Sequence, residues 1–180
     1  NALNLPLKLE DLPRGIEPYI NLVSKMAYLA AQINKGPIKS IRIEGSGEVV
    51  QYLKSMLVFA IVGALHDSLG DSLNYVNAKF LADEKGIETS FGELANSVYK
   101  SEIAVKVTTD KAISNVAGTV FDGSEERIVN IGGFKTDFKP KGKMIIFKNT
   151  DVPGVIKSVS TILADENINI ADFRLGRGEE

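Results

Sequence analysis

The apolar residues of this chain change their spacing near residue 100, and that change restricts the fold more than any single motif does. Upstream, hydrophobic side chains recur at three- and four-residue steps, which places them on one face of a helix. Downstream they alternate, which places them on one face of a strand. Helical segments followed by a run of strands imply an α+β class, with helices packed on one face of a mainly antiparallel sheet.

Tyr19, Leu22, Val23, Met26, Ala30 and Ile33 share a helical face. Pro18 suits a first helical position, and Gly36 and Pro37 stop the helix. A strand over 38–44 carries Ile38, Ile41 and Ile43 against Lys39 and Arg42, with imperfect alternation at Ser40. Ser46 is placed to cap a second helix over 49–66, whose stripe is Val50, Leu53, Leu57, Ile61 and Leu65. A third, shorter helix over 77–85 ends at Gly86. Beyond it Ile103, Val105 and Val107 alternate with Glu102, Lys106 and Thr108, and the turn pair Asp110-Lys111 follows. Residues 112–121, 127–131 and Phe134–Phe138 complete an antiparallel meander.

Pro140 and Gly142 mark a boundary. Past it, an apolar strand over 144–147, a turn over 149–154, an amphipathic helix to 166 and a strand over 168–175 read as a βαβ unit with parallel, right-handedly joined strands. Two strands leave sheet edges open, so further strands are expected from elsewhere. Residues 1–16, which mix leucines with Pro6 and Pro13, read as a linker from an upstream domain. The expected domains are then 17–141 and 142–180.

A formal charge of −2 with interspersed signs provides no field to draw the chain onto nucleic acid or anionic lipid. With no cysteine and one histidine, disulfides, thiolate catalysis, iron-sulfur ligation and most transition-metal sites fall away, and no metal is expected. Lack of disulfides suits a reducing compartment such as the cytoplasm, or a plastid in a plant or alga. The apolar run over 56–65 is about half the roughly 20 residues that span a bilayer, so it reads as a buried core helix. The first residue is Asn and no leader follows it, which suggests a piece of a longer chain.

The turn Asn149-Thr150-Asp151-Val152-Pro153-Gly154 is the richest candidate site. Pro153 suits a first helical turn and Gly154 allows close backbone approach, so free N–H groups and the positive end of the helix dipole would meet a carboxylate. The Asp151 carboxylate and Asn149 amide would accept from an ammonium group. Asn169 adds an amide at the start of the next strand. The same residues also suit a plain helix cap, a helix starter and a turn. Among other candidates, His66 suits a helix C-terminus and Glu102 and Lys106 the wet face of a strand. Asp71, Asp83 and Glu84 lack metal-ligand spacing, and the serines lack a histidine for a hydrolytic triad.

Asn149 to Ile156, with Ile168-Asn169-Ile170-Ala171 downstream, resembles the first half of the ferredoxin-like ACT domain, an amino-acid-sensing module. Ala117-Gly118-Thr119-Val120-Phe121 and Arg127 to Phe134 resemble the intervening domain of long-form D-3-phosphoglycerate dehydrogenases. Asn1 to Pro6, Leu29 to Gln32, Gly47-Glu48-Val49 and Val76-Asn77-Ala78 match that family in the same order. The resemblance implies a regulatory and oligomerising part of a serine-biosynthetic oxidoreductase. Catalytic residues would be absent from this chain, and NAD would be bound by the missing domains of the parent.

It further implies that L-serine is held between two ACT domains of a homo-oligomer, a dimer or a tetramer. Asn149 and Asp151 would grip the ligand, Pro153 and Gly154 would shape the turn, and Asn169 would come from the partner subunit. The ACT domain would stop after its second strand, half of the expected module. An anion site in the intervening domain is implied as well, with Arg127, Lys135, Lys141 and Lys143 as its cations, although four basic residues among polar turns also suit a solvated face. The alternatives are the regulatory chain of a serine dehydratase, which an upstream dinucleotide fingerprint would exclude, and an amino-acid-responsive gene regulator with an ACT sensor.

Overall fold

The computed structural model describes residue 13, residues 15–150 and residues 152–178. Most of the expected linker over 1–16, and Asp151, lie outside the described residues. The chain divides into two units, one running to Pro140 and including residues 176 onward, the other comprising Lys141–Leu175.

In the first unit, helix α1 (Glu17–Ile33) buries Tyr19, Leu22, Val23, Met26 and Ala30 of the expected stripe, with Ile20 and Ala27, while Ile33 is exposed at its end. Strand β1 (Ile38–Ser46) runs two residues further than expected. Its imperfect alternation at Ser40 has a physical cause, because the ladder with its antiparallel neighbour shifts register between Ile38 and Ser40.

The second helix starts differently from expectation. Residues Gly47–Tyr52 form a 3-10 segment before helix α2 (Leu53–Leu69). Ser46 makes no side-chain cap, and its hydroxyl is buried without a partner. The capping oxygen comes instead from Ser101, whose Oγ accepts the Glu48 N–H at 3.0 Å. A Cβ on Gly47 (φ +68°) would sit 2.0 Å from the Lys100 carbonyl oxygen, so the chain requires glycine there.

Helix α2 is the buried core helix that the apolar run implies. Met56 to Ile61 and Gly63 to Leu65 are all buried, which is why its apolar residues form no single stripe. It packs on α1 at close range, since a Cβ on Gly63 would lie 2.2 Å from the Ser24 carbonyl oxygen. Helix α3 (Ala78–Glu84) ends as expected before Gly86, whose φ is +68°.

Strand β2 (Glu88–Glu93) is an element that the sequence pattern does not announce. It lies parallel to β1, with Ile41 opposite Thr89 and Ile43 opposite Phe91. Strands β3 (Glu102–Thr109), β4 (Ile113–Phe121), β5 (Glu125–Ile131) and β6 (Phe134–Phe138) form the expected antiparallel meander. The two-residue β7 (Arg177–Gly178) pairs with β6. Among the described residues the sheet has seven strands in the order β2-β1-β3-β4-β5-β6-β7, with β1–β2 its parallel pair.

Helix α1 contacts β3, β4 and β5, and α2 contacts β1 and β2. Between helices and sheet lies one core that includes Leu22, Met26, Ile41, Ile43, Met56, Ile61, Ile103, Val105, Val107, Val116 and Ile128. Burying each such aliphatic side chain contributes about 1.5–3 kcal/mol, an upper estimate. A polar strut crosses this core near its edge. The Tyr19 hydroxyl donates to the Ser101 carbonyl at 3.0 Å and accepts the Val120 N–H at 3.2 Å, and Thr119 Oγ1 donates to the same carbonyl at 2.6 Å.

In the second unit the expected helix forms as α4 (Val155–Asp165). The expected strands over 144–147 and 168–175 do not, and no described residue of this unit is buried. β propensity alone does not make a strand, because an extended segment becomes one only when its N–H and C=O groups find a ladder. Neither segment has one here. Met144, Ile145, Ile146, Phe147, Ile168, Ile170, Phe173 and Leu175 are all exposed.

Candidate functional site

The turn before α4 departs from expectation at its centre. Gly154 adopts φ +96° and is the N-cap, so the helix begins at Val155 and Pro153 precedes the cap instead of starting the first turn. A left-handed residue cannot be part of a right-handed helix, so Gly154 sets the boundary. Among the described residues no side chain caps this end. Its first N–H groups have no side-chain acceptor among the described residues, while the first intrahelical bond runs from Ser158 N–H to the Gly154 carbonyl at 3.0 Å. Ser158 Oγ donates to that same carbonyl at 3.1 Å.

The Asn149 side-chain amide donates to the Thr150 carbonyl at 2.9 Å, which leaves its oxygen as the acceptor for any ligand. At the other end of α4, Asn167 takes φ +55°, and the N–H groups of Asn167 and Ile168 return to the Ala164 and Leu163 carbonyls at 3.0 and 2.8 Å. Asn169 follows this reversal and is exposed. An uncapped helix start flanked by an amide oxygen is chemically suited to a carboxylate with an adjacent ammonium.

The four expected cations are divided between the two units. Arg127 and Lys135 belong to β5 and β6, while Lys141 and Lys143 fall in the other unit. Arg127 Nη1 donates to Asp137 Oδ1 at 3.0 Å, and Arg127 Nε is buried without a partner. Nearby, Lys139 pairs with Glu125, and that hydrogen bond holds the Glu125 carboxyl below its ordinary range. The Tyr99 phenol is pushed up by burial first, then by Glu102 and Asp137, against the opposing charge of Lys135.

Sequence reasoning missed Tyr99, Asp137 and Lys139. The signal available for the last two was the run Lys135-Thr136-Asp137-Phe138-Lys139, in which charges recur at every second position. Tyr99 gives none, because it lies in a loop.

His66 lies in the last turn of α2. Its ring stands edge-on to Tyr28 at 5.5 Å, and Nδ1 lies 3.2 Å from Asp67 Oδ1. Glu102 accepts the Ser97 hydroxyl at 2.6 Å.

A family model described as the D-3-phosphoglycerate dehydrogenase intervening domain matches residues 15–132. The chain is 36% identical to a D-3-phosphoglycerate dehydrogenase of Bacillus subtilis, over 100% of this chain and 35% of the relative. It is 32% identical to one of Archaeoglobus fulgidus, over 98% of this chain and 34% of the relative. It is 27% identical to the chloroplastic D-3-phosphoglycerate dehydrogenase 2 of Arabidopsis thaliana, over 98% of this chain and 31% of the relative. The chain thus spans about a third of the length of these curated relatives.

Proposed function

Because the chain belongs to the D-3-phosphoglycerate dehydrogenase family, with its intervening domain over residues 15–132, we propose that it is a regulatory and oligomerising region of such an enzyme in serine biosynthesis. The parent oxidises its substrate with NAD in domains outside this chain. It works in the cytoplasm, or in a plastid as the name of the Arabidopsis relative suggests. Residues 17–141 act as the intervening domain and 142–180 as part of an ACT domain that senses L-serine.

The observation that carries the sensing role is the start of α4 beside Asn149, which no described side chain caps. The N–H groups after Gly154 receive the serine carboxylate, and the Asn149 oxygen and the Asp151 carboxylate take the ammonium and hydroxyl ends. Pro153 directs the turn, and Asn169 reaches the ligand from a second subunit. The exposed apolar residues over 144–147 and 168–175 fit this picture, because in a dimer or tetramer they would find the ladder they lack here. Arg127 and Lys135 are the nucleus of a second site, for a small anion.

Calorimetric titration of the intact enzyme with L-serine tests the sensing role. Binding should weaken in Asn149→Ala, Asp151→Ala and Asn169→Ala, and serine should shift activity or subunit association by a coupling of about 1–3 kcal/mol. Unaltered affinity in all three variants refutes the site, and no effect of serine on activity or association refutes the regulatory role.

A further inference from the structure

Helices α1 and α2 cross where Gly63 meets the Ser24 carbonyl, and past that point Tyr28 lies against His66. One turn to the N-terminal side of the crossing, a cavity of about 350 Å³ opens between the helices. That volume falls within the roughly 300–1,000 Å³ of small-ligand sites. Ile20 and Phe59 form its buried lining, and Tyr75, from the 73–77 loop that precedes α3, forms its outer wall.

The wall is held in place before any ligand arrives. Asn74 Oδ1 accepts the N–H groups of Val76 and Asn77 at 2.9 and 3.1 Å, and Asn77 Oδ1 accepts the Asn74 N–H at 2.8 Å. The backbone on both sides of Tyr75 is thereby tied. Its ring lies 4.7 Å from that of Phe59, tilted by 41°. Two aromatic rings so placed offer both an apolar surface and the negative faces that attract a cation.

The charges agree with the rings. Glu17 and Asn21 stand one turn apart on the cavity side of α1, and neither side chain has a hydrogen-bond partner among the described residues. Lys25 also lines the cavity, but its Nζ is held by Glu126 at 2.5 Å. The uncommitted charge in the lining is therefore the Glu17 carboxylate. An ammonium can donate to it and to the Asn21 oxygen together, whereas a carboxylate would meet no uncommitted cation among these lining residues.

We propose that this cavity binds a small organic ammonium with an apolar body and no carboxylate, the body against Phe59 and Tyr75 and the charge at Glu17. The site is distinct in chemistry from one for a zwitterion or an anion, because it selects for positive charge alone. A bound amine spans α1 and the 73–77 loop, so it stabilises the folded chain by mass action.

Calorimetric titration of the intact enzyme with phenethylamine, and with phenethyl alcohol as the neutral counterpart, tests this at constant pH and ionic strength. The amine should bind about two- to fivefold tighter than the alcohol, the range that an exposed ion pair supplies. Glu17→Gln should erase that preference and leave the alcohol unchanged, and Tyr75→Ala should weaken both ligands. Equal affinities in the wild type, a preference that survives Glu17→Gln, or binding indifferent to Tyr75→Ala overturns the site. Absence of amine binding overturns it as well.

Discussion

Replacing Gly63 with alanine sets two physical effects against each other. Glycine inside a helix costs about 1 kcal/mol relative to alanine, so on an isolated helix the substitution would stabilise. In α2, however, the added Cβ would meet Ser24 backbone first, 2.2 Å from its carbonyl oxygen, 2.9 Å from its carbonyl carbon and 3.1 Å from its Cα. A comfortable carbon–oxygen approach is about 3.3–3.6 Å, so the shortfall is more than 1 Å. Backbone within α1 cannot rotate away as a side-chain tip would. The helix must move as a body, and it carries Leu22, Val23 and Met26 out of their fit against the sheet.

Overpacking of that kind costs about 3 kcal/mol, the upper end of the usual range, because the obstruction is main chain. Subtracting the gain in propensity leaves a net loss of about 2 kcal/mol, or roughly 4–8 °C in Tm for a chain of this size. Urea unfolding followed by circular dichroism should show a lower midpoint at unchanged slope. A Gly63→Ala protein as stable as the wild type, or more stable, would refute the close helix crossing.

Further outcomes follow from other contacts. Tyr19→Phe should cost about 1–2 kcal/mol in the same unfolding assay, because it removes the acceptor of the Val120 N–H and a donor to the Ser101 carbonyl within a buried strut. A double-mutant cycle on Lys25 and Glu126, 2.5 Å apart with Lys25 well exposed, should return less than about 1 kcal/mol. Asp67 is held below its ordinary value of 3.8 by hydrogen bonds from Gln32 and then His66. A depressed folded-state value stabilises the fold fully above 3.8 and loses that contribution as pH falls through the lower value, so Asp67→Asn should be less sensitive than the wild type to acid below 3.8.

Elements whose burial is local were legible in the sequence. The stripe of α1, the alternation of β3 and the glycine ends of α1 and α3 each need only neighbouring residues to be understood. The rest depended on distant partners. Strand β2 reads Glu-Thr-Ser-Phe-Gly-Glu, polar because it is an edge, and only its ladder with β1 makes it a strand. Ser46 looked like a cap because nothing local reveals that Ser101, 53 residues beyond Glu48, fills that role.

Residues 144–147 and 168–175 failed in the opposite sense, with strong propensity and no neighbour to pair with. The candidate turn was legible as chemistry but not as geometry. Gly154 was identified as the permissive residue, yet its positive φ moves the helix start to Val155, two residues past Pro153. The basic residues were legible as cations and not as occupied ones, since Asp137 becomes a partner of Arg127 only when β5 and β6 are side by side.

The parallel ladder between β1 and β2 also bears on the order in which the molecule assembles. Hairpins from β3 to β6 close over turns of a few residues, whereas β1 cannot meet β2 until the whole segment carrying α2 and α3 has been folded back. The β1–β3 ladder closes a longer loop still, but among the described strands β2 is held by one neighbour only, so β2 should dock last on the way in and detach first on the way out. The amide hydrogens of residues 88–93 are then expected to exchange with solvent ahead of those in the central strands, making that margin of the sheet its earliest point of opening.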